Sequence, residues 1–133
     1  MPSYTEEQWL QISRSVVLML DAWQLDNSQK ITLLGLPENT PKRSISRYKD
    51  NTPLPVDAVV TERVEHLLGI ADALRTTYPT NQRMGTQWMS KPNQKLNQRS
   101  PISMLKEGTL GNLISIRSQL DCVFMWETMG SRA

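Results

Sequence analysis

The chain has 133 residues, 38% of them hydrophobic, which suits one domain or two small ones sharing a modest core. Its formal charge is +2 and its single cysteine, Cys122, excludes an internal disulfide; no CxxC or Cys/His spacing points to zinc. No apolar run approaches the length of a membrane helix, and the opening MPSYTEEQWLQ lacks the basic start and apolar stretch of an export signal, so the cytosol is the expected compartment.

The charge is unevenly spread. Residues 30–50 carry Lys30, Lys42, Arg43, Arg47 and Lys49 against Glu38 and Asp50. Residues 75–99 carry Arg75, Arg83, Lys91, Lys95 and Arg99 with no acid. These two basic islands alternate with acidic stretches, and read either as solvated surface or as two sites for polyanions or acidic partners.

Along the chain, Trp9, Ile12, Val16, Leu20 and Trp23 recur at helical spacing and predict an amphipathic helix over 5–23. Thr5 and Gln8 have capping-box spacing at its start. A short helix is expected over 29–34, capped by Asn27 or Ser28 and ended by Gly35. After a tight turn, Thr40 is expected to cap a helix reaching Tyr48, with Pro41 in its first position. Pro55 is expected in the first turn of a long helix whose face is Val56, Val60, Val64, Leu67, Ala71, Leu74 and Tyr78, with Pro79 closing it. Gly69 inside it marks either a close helix crossing or a break. A short helix over 81–89 and a polar loop over 91–99 follow. Ser100 and Pro101 start a further short helix that Gly108 stops. Thr109 then caps a final helix with the face Leu110, Leu113, Ile116 or Arg117, Leu120 and Phe124, and residues 125–133 read as less regular. The fold class is all-α, an N-terminal helix-turn-helix half over 1–53 followed by a small helical bundle over 54–133.

Side-chain chemistry gives no catalytic constellation, and neither a cofactor nor enzymatic activity is expected. His66, the only histidine, reads as a boundary residue beside the apolar face. Trp9 and Trp23 read as core, and Cys122 as a small buried hydrophobe. Trp88 and Trp126 either close the core of the second half or anchor an interface. Helix, turn and short basic helix is the order of a helix-turn-helix. Lys42, Arg43, Ser44, Arg47, Tyr48 and Lys49 are therefore the candidate DNA-binding residues, with arginine suited to guanine edges and lysine to phosphates. The alternative is a structural helix pair with a wet basic face.

At residues 88–121 the string WMSKPNQKLNQRSPISMLKEGTLGNLISIRSQLD resembles the C-terminal toxin-binding domain of the Xre/MbcA/ParS antitoxin family. The residues that carry the likeness are Trp88, Pro92, Asn93, Leu96, Pro101, Met104, Leu105, Gly108, Leu113, Leu120 and Asp121. LLGIADALRTTYP at 67–79 looks like the family's preceding helix, and ITLLGLP at 31–37 like its helix-turn-helix. The family often has Gly before the linker Arg and Thr before the Pro, where this chain has Gln98 and Ser100. The resemblance implies an antitoxin of a type II toxin–antitoxin system that neutralises a cognate RES-domain, NAD-consuming toxin by covering its active site. It also implies a repressor bound to its own promoter DNA, a homodimer and a higher-order complex with the toxin. A transcriptional regulator with no toxin partner is the alternative. With the resemblance, the toxin-binding set is Trp88, Pro92, Asn93, Lys95, Leu96, Arg99, Phe124, Trp126, Met129 and Arg132. The last four are chosen because aromatic, Met and Arg side chains are enriched at interface cores.

Overall fold

The computed structural model describes residues 4–130, with side chains described through Val123. The described residues form seven α-helices and one 3₁₀ turn, with no strand, so the fold is all-α. No helix among them is long and apolar enough to cross a membrane. The chain divides into two compact units, Met1–Val64 and Glu65–Ala133. The first therefore extends past the 1–53 boundary read from the sequence.

The first unit holds α1 (Glu6–Ala22), α2 (Asn27–Leu34), α3 (Ser44–Tyr48) and the start of α4 (Ala58–Thr77). Helix α1 begins with the expected capping box, Thr5 accepting from the Gln8 amide and Gln8 returning to the Thr5 amide. It ends in a Schellman arrangement, the Leu25 amide donating to Leu20 and the Gln24 amide to Asp21. Gln24 occupies the left-handed position there, at φ 67°, where glycine is the usual residue. Trp9, Val16, Leu20 and Trp23 are buried as their spacing predicts, together with Val17 and Ser13.

Ser13 is buried because it is fully used. Its hydroxyl donates to the Trp9 carbonyl (2.8 Å) and accepts from the Leu54 amide (2.9 Å), while the Trp9 indole donates to the Leu54 carbonyl (2.7 Å). Both backbone groups of Leu54 are thus satisfied by α1, which lets this loop residue sit in the core. Held there, the chain is not helical at Pro55. Helix α4 starts later, at Ala58, where the Asp57 carboxylate accepts from the Val60 amide (2.9 Å), and Val56 is left exposed.

Two further boundaries differ from the sequence expectation. Helix α2 starts with Asp26 as its cap, in a capping box with Gln29, so neither Asn27 nor Ser28 plays that part. Helix α3 has only five residues. The chain before it makes i to i+3 bonds, Thr40 to Pro37, Ser44 to Pro41 and Ile45 to Lys42, so Thr40 and Pro41 shape successive turns instead of opening a helix. Helix α3 packs on α1 and α2 through buried Ile45. Gly35 ends α2 in the left-handed conformation, with Val59 and the Arg63 stem where a Cβ would stand. Arg63 also donates to the Leu33 carbonyl (3.0 Å), satisfying an acceptor at the end of α2.

The second unit holds the remainder of α4, then α5 (Gln82–Ser90), the 3₁₀ turn Gln94–Leu96, α6 (Pro101–Glu107) and α7 (Leu110–Gly130). Helix α6 packs on both α5 and α7. Its limits follow the sequence: Ser100 caps it, Pro101 opens it, and Gly108 ends it at φ 79°. Thr109 then accepts from the Asn112 amide at the start of α7 (3.2 Å). Helix α4 runs unbroken through Gly69, where the Arg117 side chain of α7 fills the space a Cβ would take, so the glycine marks a close approach. Arg117 also lies 3.3 Å from His66, which is half-buried. Leu113, Ile116 and Leu120 are buried on α7. The helix continues to Gly130, beyond the point at which regularity was expected to fade. Cys122 is exposed, against the expectation of a buried hydrophobe, because it lies off the Leu113–Ile116–Leu120 face.

Candidate functional site

The first basic island is less free than its sequence suggests. Lys30 is only 3% exposed and pairs with Asp21, and Lys49 pairs with the other Asp21 oxygen at 2.9 Å. Asp21 closes α1, where a carboxylate faces the negative end of the helix dipole, so two cations offset an unfavourable position. Burial opposes ionisation of Asp21. The hydrogen bonds from Lys30 and Lys49, with their charges, outweigh it and hold the carboxyl below its usual 3.8.

Among the candidate DNA-binding residues, Lys42, Arg43 and Arg47 are exposed and pair with no carboxylate among the described residues. Ser44 and Tyr48 are half-buried. Lys42 and Arg43 stand in the turn before α3, and an Asn27 amide reaching the Lys42 carbonyl (3.5 Å) ties that turn to α2. The connection between α2 and α3 spans residues 35–43, against the roughly 3–4 residues of a helix-turn-helix turn. At five residues, α3 is about 7.5 Å long, a short reading element. The set thus comes down to a cationic turn with one helical arginine.

The second island is shaped by Asn93. Its side chain accepts from the Lys95 amide (2.9 Å), its carbonyl accepts from the Leu96 and Gln98 amides (2.9 Å each), and its own amide donates to the Arg99 carbonyl (3.1 Å). The segment 93–99 is therefore closed on itself, with Leu96 buried beneath it. Closure places Asn97 and Gln98 at φ 58° and 66°. Asn tolerates that region, whereas Gln98 stands in it at the position where the resembled family often has glycine. Pro92 and Lys95 are exposed, and Trp88 on α5 is half-buried. Arg99 pairs with Glu107 (3.2 Å) and Arg75 with Asp72, which leaves Arg83, Lys91 and Lys95 as the cations of this stretch without a carboxylate partner among the described residues.

Between this loop and α7 lies a groove of about 350 Å³. It brings together the candidates Lys95, Leu96 and Arg99 with Met104, Ile114 and Cys122. Sequence reasoning did not single out the last three as site residues. Ile114 was the legible one, an apolar residue off the buried face of its helix. Phe124, Trp126 and Met129 were chosen for side chains that lie outside the described residues, and Arg132 lies outside them altogether.

No family model matches the chain, and no curated protein matches it. The likeness to the Xre/MbcA/ParS antitoxins therefore rests on the residues themselves. Of those that carry it, Leu96, Met104, Leu105, Leu113 and Leu120 are core residues of the second unit, and Asn93, Pro101 and Gly108 set its turns and helix limits. No group of His, Cys, Asp and Glu among the described residues is arranged to hold a metal ion.

Proposed function

We propose that this chain is the antitoxin of a type II toxin–antitoxin system, binding a RES-domain, NAD-consuming toxin through its second unit and covering the toxin's active site. The supporting observation is the self-closed 93–99 loop, a fixed cationic surface feature built on the residues that carry the family likeness. In this reading the chain does no chemistry itself. It needs no cofactor, works in the cytoplasm, and assembles as a dimer within a larger toxin complex.

The test is co-expression with a RES-domain protein encoded by the adjacent reading frame. Growth and cellular NAD, lost when that protein is expressed alone, return when the full chain is present, and the two proteins co-purify. Continued NAD loss in the presence of equal amounts of the chain refutes the proposal.

A second reading, a DNA-binding regulator without a toxin partner, is favoured by Lys42, Arg43 and Arg47, which share one turn and helix and have no carboxylate partner among the described residues. The antitoxin reading also has the chain bind its own promoter as a repressor. Retardation of the upstream DNA in a gel-shift at low salt supports that role, and no retardation with or without toxin removes it.

A further inference from the structure

The groove between the 93–99 loop and α7 combines three properties. Its floor is apolar, from buried Leu96 and Met104 and from Ile114, which is 44% exposed. Its α7 wall carries small side chains at Ser115, Ser118 and Cys122, spaced so that they share one helix face, with Gln119 beside them. Its rim is cationic: Lys95 and Arg99 line it, and no acid does among the described residues. Arg99 is already balanced by Glu107, so the charge left over is that of Lys95, with Lys91 and Arg83 on the same stretch of chain also lacking a carboxylate partner among the described residues.

At about 350 Å³ the groove is near the lower end of small-molecule sites, roughly 300–1,000 Å³, and it is open along the helix. That shape suits a peptide segment better than an enclosed ligand. We propose that it receives an acidic segment of the toxin, an apolar side chain seated on Leu96, Met104 and Ile114 with flanking carboxylates on the Lys95 side. This rests on the antitoxin reading and adds where the partner docks and with what chemistry. The apolar contact sets the lifetime of the complex, and these cations steer encounter.

Cys122 is the only cysteine of the chain, is exposed, and lines the groove, so it reports occupancy without any substitution. The experiment compares N-ethylmaleimide alkylation of Cys122 in the free chain and in its complex with the RES-domain protein of the adjacent reading frame. It also measures the affinity of Lys95→Glu and Ser118→Trp, both exposed positions, with helical content checked by circular dichroism. The expected result is alkylation slowed at least about tenfold in the complex and binding weakened about tenfold by each variant. Unchanged alkylation and affinity in a complex that still neutralises the toxin overturn the groove and leave the antitoxin reading standing. Failure of any complex to form overturns both.

Discussion

Replacing Asp21 by Asn isolates the ion cluster that the first basic island turns out to contain. The substitution keeps the shape but removes the charge that Lys30, 3% exposed, depends on, and leaves a cation inside the protein. Removing one partner of a fully buried pair costs about 3–5 kcal/mol. Asp21 is 33% exposed, so solvent screens part of that, and the expected loss is about 2 kcal/mol. Lys49 is itself 33% exposed, and its replacement by Met is expected to cost under about 1 kcal/mol. The decisive variant is Asp21→Asn combined with Lys30→Met, which removes the stranded charge while keeping an apolar stem, and is expected to recover most of the loss. Urea unfolding at neutral pH followed by circular dichroism measures all four proteins. The pH dependence has a fixed sign: Asp21 has a folded-state pKa below its usual 3.8, so its contribution is present above that value and is lost as pH falls through the lower, folded-state one. The gap between wild type and Asp21→Asn should therefore close in acid. An Asp21→Asn loss under about 0.5 kcal/mol, or a double variant no more stable than Asp21→Asn, refutes the account.

Other outcomes are expected elsewhere in the chain. Gln24→Gly, at φ 67° at the end of α1, should raise stability by about 1 kcal/mol, whereas Gly35→Ala, at φ 75° under Val59, should lower it by about 2 kcal/mol or more, both read from urea midpoints. If the chain retards its promoter, Lys42→Ala should weaken binding to all sequences alike and reduce the salt slope by about 1, while Arg43→Ala and Arg47→Ala should weaken it most; a slope unchanged by Lys42→Ala excludes that phosphate contact. Deleting residues 125–133 should reduce toxin neutralisation while leaving the thermal transition of the rest of the chain in place, and Trp126→Ala should lower toxin affinity by about 2 kcal/mol; full neutralisation by the truncated chain refutes a role for the tail.

Most helix limits were legible because they rest on local chemistry. Thr5 with Gln8, Ser100 with Pro101, and Gly108 with Thr109 each satisfy backbone groups within a few residues, so their pattern and their structure coincide. What stayed hidden depends on residues far apart in the chain. Nothing in the spacing of Asp21, Lys30 and Lys49 says that they meet, although an acid in the last turn of a helix signals a need for cations. Leu54 enters the core only because Trp9 and Ser13 satisfy its backbone, and that capture displaces the start of α4 from Pro55 to Ala58. The short α3 follows from i to i+3 bonding through Pro41, which helical periodicity does not register. For the candidate sites, the sequence named Lys95, Leu96 and Arg99. It did not reveal that α7 would bring Ile114 and Cys122 beside them, since that depends on how the loop and helix pack.

Asn93 has a consequence for how partner choice can change. Its bonds hold segment 93–99 mainly through main-chain groups, so the side chains of Gln94 and Lys95 project from a frame that does not depend on their identity. A frame fixed before encounter spares association the entropy of ordering a loop, a cost of about 0.5–1.5 kcal/mol for each side chain that must be immobilised. Exchanging those two residues therefore alters what the surface recognises without altering the surface's shape. Exchanging Asn93 would remove the one side-chain bond of the frame, to the Lys95 amide, while the main-chain bonds among Asn93, Leu96, Gln98 and Arg99 remain.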